Sequence, residues 1–378
     1  MKRISGKKIL SFVLAALMLL SGCGKKAPEN AGAAEPDATA EVETVPDAPE
    51  SGPSADETVP DAPAETDPEE TTDPEETAAA GYVFDPHLHV SLLDADIPQE
   101  YWDAFYHLCD ALRVGEDTFA CASEAAFRWA TDPATLNTIF PAACTKVSGQ
   151  GEDGSLLFEN GVGRIRYLMP VDEFVARQRA FETMIEEILN GCLEPDDDEF
   201  EKCLKIFDYI SANYIYEEEF VENKGDGANY VTLQKHQGRC VDLSGVYAYL
   251  LLQSGVQAVG VGCSNETAAH EWVYLVMGGK GYHSDVTWAL RAPGEELDLY
   301  YFLMNDERRA DSGCAVDDLM SPLLPRYWLN RSATVLTADD YERFGFPYWS
   351  YLQEIDEQNK TIRYRCLGDD YEFSYALE

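Results

Sequence analysis

The sequence predicts an α+β domain in which one helix is followed by strands that pair antiparallel. The first observation is a continuous helical pattern over 241–254, apolar on one side and ended by Gly255. The second is that three strand-like runs follow directly, over 256–263, 270–277 and 282–288. A helix packed on an antiparallel sheet is an α+β arrangement.

An N-terminal, mostly helical region is predicted over 81–196. Apolar residues recur at helical spacing from Pro98 onward, and a second helical pattern runs from about 117 to 129. One strand is expected over 161–169, and a long amphipathic helix is expected over 171–189.

The core of the domain is predicted to begin at a helix near residue 197. Three aspartates at 196–198 can cap this helix, whose apolar stripe starts at Phe200. We therefore expect a core over 197–346 and a C-terminal extension over 347–378 that packs on it.

Residues 1–22 have the features of a secretory signal peptide. Four basic residues precede an apolar run over 9–20, which is too short to span a bilayer. The run ends in Leu-Ser-Gly-Cys, which resembles the bacterial lipobox and implies cleavage before Cys23 and lipid attachment to its thiol. Each buried CH₂ of such a lipid contributes about 0.8 kcal/mol to membrane binding. The expected location is outside the cytoplasm, on the bacterial cell membrane.

The segment that follows, residues 23–80, is predicted to be a disordered acidic stalk beginning with the lipidated cysteine. It is rich in Pro, Thr, Glu, Ala and Asp, and residues 24–80 contain no aromatic residue, so little apolar surface could offset the entropy of ordering. Residues 44–49 recur as 58–63, which marks low complexity. An acidic interaction tail is the alternative.

Charge argues against nucleic acid as a partner. The formal net charge is −41. Residues 1–22 contribute +4 and residues 24–80, with two lysines and 17 acidic residues, contribute −15, so residues 81–378 carry −30. Such a surface repels nucleic acid and anionic lipid headgroups. The oligomeric state is left open.

Metal binding has no support in the sequence. His87 and His89 stand at strand spacing without a third ligand, so a surface strand is preferred to a ligand pair. The nine cysteines after the lipobox show no zinc-ligand spacing, and their odd number leaves at least one thiol unpaired. Three of them lie in apolar, helix-like patterns typical of small buried hydrophobes, namely Cys109, Cys121 and Cys203.

Reactive residue types converge on 238–288. Cys240 stands at the opening turn of the predicted helix, where free backbone N–H groups and the helix dipole favour the nucleophilic thiolate. His270 opens the second strand and can act as a base, and Asp285 is expected in the middle of the third strand. Paired strands could bring the imidazole and the carboxylate together.

Each of these residues also has a structural interpretation. Cys240 could be buried or disulfide-bonded, His270 could be a core histidine, and Asp285 could be a turn or edge carboxylate. Asp242 is interpreted as a helix-start charge, and His283 is the chief rival for the acid–base role.

In these positions the chain resembles the transglutaminase-like superfamily, whose fold is related to papain-type thiol proteases. The resemblance covers roughly 200–330 and rests on four segments: 207–216, 238–240, 270–273 and 285–288, with 300–307 resembling bacterial lipoprotein members. Val286 departs from the proline that the family commonly has there. The resemblance implies a Cys240–His270–Asp285 catalytic triad without a cofactor.

The second oxyanion donor is left open. The backbone N–H of Cys240 is the natural first donor. The family uses an upstream side chain for the second, and Tyr216, Tyr230 and Gln234 are the candidates.

The resemblance implies a thiol acyl-transfer enzyme that acts on protein, peptide or cell-wall peptide amides. Hydrolysis is favoured as the second step, and cross-linking to an amine is the alternative. A different class of function, a non-catalytic lipoprotein that binds polypeptide or cell-wall ligands, is also retained as a hypothesis.

Overall fold

The computed structural model describes residues 81–217, 225–264, 269–312, 323–324, 334, 336–338 and 343–376. The predicted signal peptide, the lipidated Cys23 and the acidic stalk lie outside the described residues. None of the described helices is both long enough and apolar enough to cross a membrane.

The N-terminal region combines four helices with five short strands. Its elements in chain order are α1 Gln99–Val114, β1 Thr118–Ala120, α2 Glu124–Ala130, α3 Pro133–Ile139, β2 Val147–Ser148, β3 Phe158–Glu159, β4 Val162–Arg164, β5 Arg166–Tyr167 and α4 Val171–Cys192. The long amphipathic helix expected over 171–189 is therefore present as α4, three residues longer than predicted.

The helix predicted from about 117 was wrong in its first part. Residues 118–120 form β1, which pairs antiparallel with β4, and α2 begins only at Glu124. Ser123 caps α2, since its hydroxyl accepts the N–H of Ala126 at 3.2 Å. Thr118 and Phe119 suit a pleated strand better than a helix, and the strand leaves Cys121 outside any helix.

The single strand predicted over 161–169 is divided in two. β4 pairs with β1 and β3, whereas β5 pairs with β2 in a separate sheet. The chain changes sheets at Ile165, whose side chain is buried.

The two early histidines do not lie in the strand that was predicted for them. His87 Nε2 lies 2.8 Å from Asp110, and His89 bonds Asp94 at 2.9 Å and Tyr106 at 2.6 Å. Within the described ranges, no group of three or more His, Cys, Asp or Glu residues is arranged to hold a metal ion.

The described part of the core contains two short paired strands, four α-helices and a three-stranded antiparallel sheet. Its elements are α5 Glu199–Asn213, β6 Ile215–Tyr216, α6 Ala228–Lys235, β7 Gln237–Gly238, α7 Cys240–Gln253, β8 Ala258–Ser264, β9 Ala269–Met277, β10 Lys280–Ser284 and α8 Asp306–Asp311. The sheet order is β10–β9–β8, and α7 packs against β8 and β9. The α+β class is therefore observed, with the predicted helix lying on the predicted sheet.

A capping box starts the core helix α5. Asp198 accepts the N–H of Glu201 at 3.0 Å, and Glu201 accepts the N–H of Asp198 at 2.8 Å. The other oxygen of the buried Glu201 accepts a 2.7 Å bond from Lys360, and the Tyr375 hydroxyl also bonds it. Both partners belong to the C-terminal residues, so this carboxylate joins them to α5.

The C-terminal residues form a separate antiparallel sheet. Its strands are β11 Ser350–Asp356, β12 Thr361–Cys366 and β13 Asp369–Ser374, in that order. Just after β13, the ring of Tyr375 stacks on Phe200 of α5 with centroids 4.3 Å apart. This stack and the Glu201 bonds hold the extension against the core.

The third strand of the core sheet is shorter than predicted. β10 ends at Ser284, so Asp285 lies one residue beyond the strand and not in its middle. Ser284 is the last residue paired with β9, and the N–H of Asp285 bonds the carbonyl of Tyr301. Asp285 therefore lies outside the ladder with β9.

Most described thiols are buried and unpaired. The free cysteines are Cys109, Cys121, Cys144, Cys192, Cys203, Cys240 and Cys366. Burial raises the pKa of Cys144 to about 11 and that of Cys192 to about 12. Cys263 is disulfide-bonded.

Candidate active site

Cys240 is the first residue of α7, as the sequence predicted. The preceding β7 pairs parallel with β6, and this pairing places Tyr216 opposite Gly238. A Cβ on Gly238 would stand 2.7 Å from the Cβ of Asp242, so glycine permits the tight entry into the helix. The side chain of Cys240 is only partly buried, so a reactant can reach the thiol.

Asp242 is occupied with the start of this helix. Its Oδ2 accepts the backbone N–H of Arg239 at 3.0 Å and the Nε of Arg239 at 3.2 Å. These bonds agree with the interpretation of Asp242 as a helix-start charge.

The three predicted triad residues come together. His270 Nε2 lies 2.6 Å from Oδ2 of Asp285, and Cys240 lies close enough to His270 to raise the pKa of the imidazole. His270 is 8% exposed and Asp285 is fully buried, so the thiol is the accessible end of the row.

The indole Nε1 of Trp288 lies 2.9 Å from His270 Nε2, but this contact does not determine which ring nitrogen of His270 carries the proton. One ring nitrogen cannot both donate to Asp285 and accept from Trp288. The buried carboxylate at 2.6 Å is the stronger partner, so Nε2 carries a proton directed at Asp285. Nδ1 is then the nitrogen that remains for the Cys240 thiol.

The electrostatics favour a charged imidazole. Burial lowers the pKa of His270, but Asp285 and, to a smaller extent, Cys240 outweigh this effect and raise the pKa to about 9. Burial alone would raise the pKa of Asp285, yet His270 and Arg309 hold it below its usual value. Asp285 therefore stays ionised and can fix the imidazole.

Arg309 is a site residue that sequence reasoning missed. Its Nη1 donates to Asp285 Oδ2 at 2.7 Å, the same oxygen that His270 bonds. The guanidinium lies over the indole of Trp272 at 3.9 Å and is 1% exposed. No spacing rule links position 309 to 285, so the only available signal was a basic pair, 308–309, beside the 300–307 segment.

The short helix α8 holds a second polar row beside the first. Asp306 Oδ1 lies 2.8 Å from Nε2 of His283, and Nδ1 of His283 accepts the indole N–H of Trp272 at 3.0 Å. Burial lowers the pKa of His283, although Asp306 opposes this effect. His283 is therefore a neutral, fully occupied structural histidine and not the acid–base group that was its rival interpretation.

The three oxyanion candidates lie in different surroundings. Tyr230 is buried, stacks on Phe181 and accepts a 2.9 Å bond from Gln234. Arg177 lies over the Tyr230 ring at 3.5 Å, so Tyr230 is engaged with the N-terminal region, and Gln234 is engaged with Tyr230. Tyr216 is 39% exposed and is opposite Gly238 in the β6–β7 pair. Because its strand partner Gly238 lies only two residues before Cys240, Tyr216 is the favoured candidate.

Glu271 adds a second titrating group next to His270. Burial, together with the charge of Asp242, raises the pKa of Glu271 to about 7. Both carboxylates border a cavity of about 80 Å³ lined mainly by apolar groups, including Val241 and Gly245. A pH profile of this site should therefore contain a contribution near pH 7 in addition to that of His270.

A comparison with known protein families finds a match that includes the site. Residues 186–288 match the model of the transglutaminase-like superfamily. The chain carries a transglutaminase-like domain. This match confirms the resemblance and includes all three triad positions, but it ends before Arg309. No curated protein matches the chain.

One solved structure is similar over a short part of the chain. It is a Cytophaga hutchinsonii protein provisionally named a cysteine protease, with 21% identity and a TM-score of 0.20. The similarity covers 22% of this chain and 30% of the other, so most of that protein's length is outside the match.

His270 should titrate far above an ordinary histidine. Its folded pKa of about 9 exceeds the unfolded value of ~6.5. The stabilisation from imidazolium is therefore complete below about pH 6.5 and is lost as the pH rises through about 9. Histidine NMR across pH 5–10, assigned with His270→Gln, should show one ring with a midpoint near 9. A midpoint near 6.5 for that ring would contradict the ion-pair geometry.

Arg309→Met should be costly because it leaves a buried carboxylate with one cationic partner instead of two. We expect a loss of about 3 kcal/mol in the free energy of unfolding, measured with urea. Arg308→Met is the matched control, since Arg308 is only partly buried and bonds a carbonyl. Combining Arg309→Met with Asp285→Asn should recover part of the loss. Equal costs for the two arginine variants would show that the Asp285 contact is unimportant.

Proposed function

We propose that the transglutaminase-like domain is a thiol acyl-transfer enzyme that acts on protein or peptide amides outside the cell. The observation that carries the proposal is the row Cys240–His270–Asp285, with a reachable thiol at a helix N-terminus and the other two groups buried behind it. A binding protein would not need to keep an ionised carboxylate buried behind an imidazole and a thiol.

The first half-reaction forms a thioester. The Cys240 thiolate attacks the amide carbonyl carbon, and the negative charge moves to the oxygen beside the N–H groups at the start of α7. The C–N bond then breaks, and the His270 imidazolium gives its proton to the departing amine. Asp285 holds the ring in place throughout, and Tyr216 is the proposed second oxyanion donor.

The second half-reaction returns the free thiol. His270 takes a proton from water, the oxygen attacks the thioester carbon, and the C–S bond breaks, which releases a carboxylic acid and returns the Cys240 thiolate beside the protonated imidazole. If a primary amine attacks instead of water, the product is a new amide and the reaction is cross-linking. We favour hydrolysis, because an enzyme exposed to the medium meets water far more often than amines.

Cys240 should be the fast-reacting thiol of the chain. With iodoacetamide at pH 7, we expect it to label at least about tenfold faster than Cys192, whose pKa burial raises to about 12. His270→Ala should slow the labelling of Cys240 at least about tenfold, whereas His283→Gln should retain most of its rate. Mass spectrometry of tryptic peptides measures the rates. A Cys240 labelling rate that is the same in wild type and His270→Ala would favour the non-catalytic binding lipoprotein.

A peptide library, with and without added primary amines, distinguishes the two second steps. Hydrolysis yields new carboxyl termini whether or not amine is present, and Cys240→Ala abolishes them. Amide products that dominate when amine is added would establish cross-linking in place of hydrolysis.

The proposed membrane anchor is tested at Cys23. In a bacterial host, Cys23→Ala should release the chain to the medium or leave the signal peptide uncleaved, because no thiol remains to carry lipid. Membrane fractionation and intact-mass measurement give the answer. Normal processing with unchanged membrane retention would contradict lipidation at Cys23.

A further inference from the structure

A row of aromatic side chains leads from the buried His270 to the protein surface. Trp288 packs edge-on against His270 with ring centroids 5.9 Å apart and stacks on Tyr301 at 5.7 Å. We call the whole row the aromatic strip; its members in spatial order are Trp288, Tyr301, Tyr300, Tyr348 and Trp349.

The strip is continuous. Tyr301 and Tyr300 lie 4.9 Å apart, Tyr300 stacks on Tyr348 at 3.6 Å, and Tyr348 lies 6.3 Å from Trp349. These distances are close to those of favourable aromatic pairs, so the rings pack against one another as a continuous row.

The strip has a buried middle and exposed ends. Tyr300 is 5% exposed and lies under the guanidinium of Arg308 at 5.1 Å, while Tyr348 and Trp349 are each 48% exposed and Trp288 is 37% exposed. Burial of apolar surface does not account for large rings left half in water. The strip therefore has the character of a binding surface supported from below.

Trp349 also has an unusual backbone. Its φ of 65° lies in the left-handed region, which is unfavourable for a bulky side chain. Such strain is found where the fold holds a side chain in a required place, as at ligand sites. In Trp349 it fixes a half-exposed indole beside Tyr348.

The chemistry of the site indicates on which side of the scissile bond the strip lies. This step rests on the proposed function. His270 protonates the amine that leaves, so the amine side of the substrate must lie nearest to its ring. Trp288 contacts that ring, and the strip therefore starts on the amine side of the scissile bond.

We propose that the aromatic strip binds the part of a polypeptide substrate that follows the scissile amide, through apolar side chains within the first four residues. Three ring-to-ring steps separate Trp288 from Tyr348. Because an extended peptide advances ~3.3 Å per residue, about four substrate residues cover this distance.

The ring orientations favour polypeptide over glycan as the occupant. Successive planes turn by 27°, 90°, 15° and 50°, so faces alternate with edges along the strip. Sugar rings bind across open, similarly oriented faces, whereas side chains of a peptide fit between faces and edges. The chain that continues from an amide nitrogen is also a polypeptide.

Binding to Cys240→Ala protein tests the strip without requiring any reaction. The probes are fluorescent peptides that carry either Leu and Phe or only Ala at the four positions after the amide. We expect the apolar peptide to bind about tenfold tighter by anisotropy. Adding Trp349→Ala and Tyr348→Ala should reduce that advantage to about twofold. Tyr371→Ala, an exposed aromatic residue of β13 outside the strip, should preserve it.

The outcomes separate this inference from the proposed function. Tighter binding of the apolar peptide that depends on Trp349 supports peptide binding by the strip. This holds even if the wild-type chain cleaves no peptide and the enzyme proposal fails. Equal binding of the two peptides, an advantage that survives Trp349→Ala, or no binding at all would overturn the strip, even if peptides are cleaved. Strip-dependent binding of an unsubstituted glycan oligomer in place of the peptides would also overturn it.

Discussion

The rest of the site depends on the ion pairs that the buried carboxylate of Asp285 makes. A fully buried carboxylate is expensive unless hydrogen bonds and opposite charge compensate for lost hydration. Asp285 receives both on one oxygen, from His270 at 2.6 Å and from Arg309 at 2.7 Å. It can therefore remain ionised away from water, and an ionised Asp285 keeps the imidazole charged and oriented.

This one carboxylate also links the elements of the core. His270 comes from β9, Asp285 follows β10, and Arg309 comes from α8, so the bonds cannot form unless all three elements are in place. Arg309 packs on Trp272, which in turn bonds His283. The two polar rows thus share neighbours, so a substitution in one row should alter the hydrogen bonds of the other.

The position of Cys240 is set by a different constraint. Cys240 must stand at a helix N-terminus while its side chain remains reachable, and Gly238 makes the tight entry possible by leaving room for Asp242. The aromatic strip begins at the opposite side of His270. A substrate could then lie with its carbonyl at the helix and its amine side over Trp288, which is the arrangement that thiol acyl transfer requires.

The sequence by itself determined the helix that begins at Cys240, the histidine at the start of β9 and the order of the reactive residues, because these depend on local periodicity and on helix-end chemistry. It misplaced Asp285 within a strand, because the pairing that ends β10 at Ser284 and the bond of the Asp285 N–H to Tyr301 are long-range contacts. It also read residues 118–120 as helix, although their pairing with β4 made them a strand.

Only the tertiary structure decided the role of His283, the pairing of Arg309 with Asp285 and the alignment of Trp288 with Tyr348 and Trp349. These contacts join residues far apart in the chain, and neither periodicity nor spacing contains the packing that creates them. Local chemistry in the sequence therefore specified which groups could react, whereas burial and long-range hydrogen bonds decided which of them are charged, oriented and reachable.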